Sequence, residues 1–67
     1  MNYKKIQKTL NELDELLTEI LIKDNAIKLA KEWNERNSFA ELHVDVQELI
    51  DERKELELEF NQLKKQL

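Results

Sequence analysis

Apolar residues recur along this chain at alternating spacings of three and four. They run first as Tyr3, Ile6, Leu10, Leu13, Leu17, Ile20 and Ile27, and again as Phe39, Leu42, Val46, Leu49, Leu56, Phe60, Leu63 and Leu67. This period lays each set along one side of an α-helix and does not match the two-residue alternation of a strand. Each stripe is interrupted once by a charge, Asp24 in the first and Arg53 in the second. The residues between are mostly Leu, Glu, Lys and Gln, all strong helix formers. The 67 residues include no Gly and no Pro, so the chain lacks the residues that tight hairpins and bulges draw on. The expected fold is all-α, two heptad-patterned helices forming one domain over residues 1–67.

The break between the stripes falls in Asn34 to Glu41. Ser38 followed three residues later by Glu41 has the spacing of a capping box, and Asn37 just before it tolerates the left-handed conformation that ends many helices. A turn at residues 36–38 is therefore predicted, with helices over about 3–35 and 39–66. Asp24-Asn25 offers a weaker second break that would split the first helix, although the heptad phase runs through it unchanged. So short a turn makes the helices antiparallel neighbours. Pairing residues whose numbers add to 73 sets Ile6 against Leu67, Leu10 against Leu63 and Leu17 against Leu56, and it puts Asp24 and Arg53 in adjacent layers. An Asp24–Arg53 ion pair is expected there, either buried and register-setting or partly exposed.

Composition removes most chemistry. Without cysteine there is no disulfide framework or thiolate metal site, and without glycine no phosphate-cradling loop of the usual kind. His43 is the only histidine and is expected on the solvated flank of the second helix. Glu32 with Glu35 and Glu48 with Asp51 have the i, i+3 spacing with which all-α nucleotide pyrophosphohydrolases hold Mg²⁺, which makes such an enzyme the remote alternative. The expected register separates the two pairs by roughly 10 Å along the axis, too far to share an ion. No catalytic residue, cofactor or metal ligand is expected.

Net charge is −4, all of it from the second half: residues 1–36 carry seven basic and seven acidic side chains, residues 37–67 four and eight. Glu41, Asp45, Glu48, Glu52, Glu55 and Glu59 recur at helical spacing and form an acidic stripe, which is either a solvated face or a docking surface for a basic partner. The basic residues are too scattered for direct nucleic-acid binding. No apolar run approaches the ~18 residues of a membrane span, and Met1 to Leu10 lacks a secretory hydrophobic region, so a soluble cytoplasmic protein is expected.

A second apolar stripe, Ile22, Ala26, Leu29 and Trp33, lies on the far side of the first helix from its seam. With Ala40 and Val44 it makes a patch near the turn, while Leu16 and Leu21 widen the seam. A lone hairpin cannot cover all of this. The patch is expected to be a protein interface, either between two copies forming a four-helix bundle or toward a different protein. The functional expectation is an acidic protein-binding regulator or inhibitor, homodimeric, of a composition that would suit a phage- or plasmid-encoded accessory protein. The competing class is a scaffolding element whose self-association is its function.

Overall fold

A computed structural model describes residues 3–37 and 44–67. Helix α1 spans Tyr3–Arg36 and helix α2 spans Val46–Lys64. They pack side by side as an antiparallel hairpin, with Asn34 touching Val44 at one end and Ile6 beside Leu67 at the other, in a rod of 58 × 14 × 12 Å. Helix α1 is continuous through Asp24 and Asn25, so the weaker break is not used.

The caps differ from expectation, and the reason is local. Helix α2 begins at Val46 instead of near 39, because Asp45 takes the N-cap: its backbone is extended and its carboxylate accepts from the Glu48 amide at 3.2 Å. Asp45-x-x-Glu48 carries the same kind of signal as Ser38-x-x-Glu41, and Asp is as strong a cap as Ser. The Ser38–Glu41 capping box, Phe39, Ala40, Glu41, Leu42 and His43 all lie outside the described residues. Asn34 ties the entry to α2 onto the last turn of α1, since its amide nitrogen donates to the Val44 carbonyl at 2.8 Å and its oxygen accepts from the Val44 amide at 2.9 Å. No described residue has positive φ, so Asn37 does not end α1 in the left-handed region. Its backbone and side-chain N–H groups both reach the Trp33 carbonyl at 2.9 Å instead, closing the final turn.

The seam of α2 follows the expected stripe, with Val46, Leu49, Arg53, Leu56, Phe60 and Leu63 half-buried and Leu67 exposed. The seam of α1 does not. It keeps Ile6, Leu13, Ile20 and Ile27, but Thr9, Leu16, Lys23 and Ala30 replace Leu10, Leu17, Asp24 and Lys31. Exchanging one heptad column for its neighbour rolls the helix by roughly 50°, half the 100° between consecutive residues. The roll is favourable at the loop end, where it substitutes the small Ala30 for Lys31 and brings Asn34 to Val44. Its cost at the other end is small: Thr9 is buried, but its hydroxyl donates to the Lys5 carbonyl at 3.0 Å and is satisfied.

The register also moves. Numbers of the paired residues add to 75 for Lys23 with Glu52, 77 for Asp24 with Arg53 and 78 for Asn34 with Val44, against the expected 73. The contacts therefore lie two to five residues further along α2 than the expected pairing.

Candidate protein-binding face

The roll creates a face that the heptad pattern hides. Two columns of α1 residues now border the α2 groove: Glu12, Glu19, Ala26 and Trp33 in one, Glu15, Ile22, Leu29 and Arg36 in the other. Both change character midway, carboxylate toward the open end of the rod and apolar toward the loop end. Across the groove α2 contributes Glu59, Glu55 and Glu52, so the acidic stretch is lined by carboxylates on both walls over a floor that includes Leu16, Leu56 and Leu63. At the loop end the trough becomes an open hollow of about 480 Å³ bordered by Ala26, Leu29, Ala30, Trp33, Val44 and Leu49, with Arg36 at its rim. Lys23 is the one basic side chain along the acidic stretch, and it is already bound to Glu52.

The expected apolar patch is thus partly assembled. Ala26, Leu29, Trp33 and Val44 share the hollow; Ile22 stands one step away, in the acidic stretch beside Glu19 and Glu55; Ala40 lies outside the described residues. Of the acidic stripe, Asp45 is committed to the α2 cap, Glu48 donates its amide to that cap, Glu52 is paired with Lys23, and Glu55 and Glu59 face the trough; Glu41 is not described. The stripe's counterpart on α1, Glu12, Glu15 and Glu19, escapes sequence reasoning because the first half of the chain is neutral overall. Its signal was the 3 and 4 spacing of those three residues, recognisable once the seam is placed correctly.

Asp24 and Arg53 are ion-paired across the hairpin, and Arg53 also holds Glu57 one turn along α2 at 3.0 Å. The group is half-exposed at the edge of the seam and not buried within it. The hydrogen bond from Arg53 to Asp24, and then the Asp24 charge, raise the guanidinium pKa above its ordinary value. The sign is simple: a raised pKa stabilises the fold at every pH below the guanidinium's unfolded value and loses that effect only in strong alkali, so this group gives no pH dependence near neutrality. Lys23 bonds Glu52 at the neighbouring position. Two adjacent residues of α1, plus then minus, thereby meet two adjacent residues of α2, minus then plus.

No group of three His, Asp or Glu among the described residues stands close enough to hold a metal ion. No described helix is long and apolar enough to cross a membrane. No family model, curated protein or solved structure matches the chain.

Proposed function

We propose that this chain is a homodimeric cytoplasmic protein-binding module, a regulator or inhibitor whose work is to occupy a basic helical surface of another protein. The observation that supports it is the change of character along the trough. Glu12, Glu15, Glu19, Glu52, Glu55 and Glu59 surround one stretch, and Leu29, Trp33 and Val44 border the next. A cationic amphipathic helix is complementary to both stretches at once: its Lys or Arg residues meet the carboxylates, and its apolar end enters the hollow beside Trp33, where an aromatic side chain is a natural anchor. Such a role needs a firm surface and no enclosed cavity, and an 8.1 kDa hairpin can supply that. In the same reading two hairpins associate into a four-helix bundle.

The test is a titration of a synthetic Lys/Leu amphipathic helix and of its Glu/Leu counterpart, followed by the fluorescence of Trp33, the chain's single tryptophan. The basic peptide is expected to bind, with affinity that falls as salt rises, and the acidic one to leave the signal unchanged. Equal response to both peptides, or no response to the basic one, would contradict the proposal.

A further inference from the structure

The residues that the roll takes out of the seam gather roughly 150° round α1 from the acidic trough. Leu10, Leu17 and Leu21 are 50%, 45% and 59% exposed there, with Tyr3 in line beyond them. Around them stand Asp14, Asp24 and Lys28, with Lys31 just beyond, and Asp24 is already paired with Arg53. This face is apolar and carries both signs; the trough carries essentially one.

We infer that this leucine face is where two copies of the chain pair, α1 against α1 and antiparallel, about a two-fold axis between residues 15 and 16. The inference rests on the dimeric reading above and names the surface that it uses. Three observations support it. The hairpin exposes 5799 Å², whereas a compact monomer of its mass exposes about 4,500 Å². The difference, about 1,300 Å² by the same relation, is the extra surface of an elongated hairpin, the same order as the ~800 Å² that each partner of an ordinary stable interface covers. Among the described residues the buried apolar side chains are Leu13, Ile20 and Ala30 alone, and no side chain is wholly enclosed, so the area is there to be covered.

Position supplies the second argument. A two-fold between residues 15 and 16 sets Leu10 of one protomer level with Leu21 of the other, Leu17 beside the axis and Lys28 over the Tyr3 ring, a favourable cation–π placement. Residues 3 to 28 then overlap, about 39 Å at 1.5 Å per residue, most of the 58 Å rod. An axis at Trp33 lies at the end of α1 and overlaps only a few turns. Charge is the third argument, because a two-fold interface puts each patch against itself. On the leucine face that apposes leucines, with Asp14 the one carboxylate brought near its own copy at the axis; along the trough it would appose Glu12, Glu15 and Glu19 with their own copies.

Light scattering over a dilution series tests this on the full chain. The native protein should show twice the single-chain mass of 8.1 kDa, Leu10→Glu with Leu17→Glu should halve that mass while the far-ultraviolet circular dichroism stays helical, and Leu29→Glu should leave the dimer intact. Because the chain has no cysteine, Leu10→Cys and Leu21→Cys add a second readout that does not depend on the glutamate variant folding. Mixed and mildly oxidised, the two single variants should give a disulfide-linked dimer far in excess of either alone. Single-chain mass for the native protein at every concentration would overturn the dimer itself. A dimer that survives the double glutamate variant folded, or yields no mixed cross-link, would keep the dimer and overturn this face.

Discussion

Both long sides of this hairpin expose large apolar side chains, and they differ in the charge around them. On one side Leu10, Leu17 and Leu21 sit among acids and bases; on the other, Ile22, Leu29 and Trp33 continue a trough walled by glutamates. Exposed hydrophobicity therefore does not decide what a surface binds. The surrounding charge does, since a mixed surface can meet its own copy and a single-sign surface repels it. In the proposed account one helix would serve two purposes, self-association and capture of a basic partner.

Breaking what both faces share should have the largest effect. Ile20 is buried at the centre of the seam, and Ile20→Ala is expected to lower unfolding free energy by about 2 to 3 kcal/mol in chemical denaturation, weakening dimer and peptide binding together. Next comes a change confined to one side: Glu15→Lys with Glu19→Lys should weaken basic-peptide binding at least tenfold, about 1.4 kcal/mol, in the Trp33 titration while the scattering mass stays unchanged. Loss of the dimer in that variant would merge the two faces into one. Removing the α2 cap with Asp45→Ala should cost about 1 kcal/mol and reduce helicity by circular dichroism, with no preference for either face. The smallest effect is expected at the seam's edge. Glu52→Lys should lower the melting temperature slightly, by roughly 0.5 kcal/mol in free energy, and the exchanged pair Lys23→Glu with Glu52→Lys should recover it.

The two helices were legible because their signals are local and repeated, spacing and propensity agreeing from Tyr3 to Arg36 and from Val46 to Lys64. Asp24 and Arg53 drew notice as the single charged slot in each stripe, and they are in contact. The roll of α1 was not legible. Leu16 and Leu17 are adjacent, as are Thr9 and Leu10, so the heptad pattern admits two neighbouring seams, and only packing against α2 selects between them. The start of α2 was ambiguous in the same way, because Ser38 and Asp45 each stand three residues before a glutamate. Of these two signals the one at Asp45 caps α2, and the Ser38 one lies outside the described residues. The roll of α1 in turn concealed the Lys23–Glu52 pair and the acidic wall of Glu12, Glu15 and Glu19.

The most direct measurement is the mass of the complex when the protein is saturated with the basic amphipathic peptide, by native mass spectrometry. If self-association and partner capture use opposite faces, the complex holds two chains and two peptides. A complex of one chain with one peptide, formed as the dimer disappears, would mean that both compete for the same surface and would contradict the account.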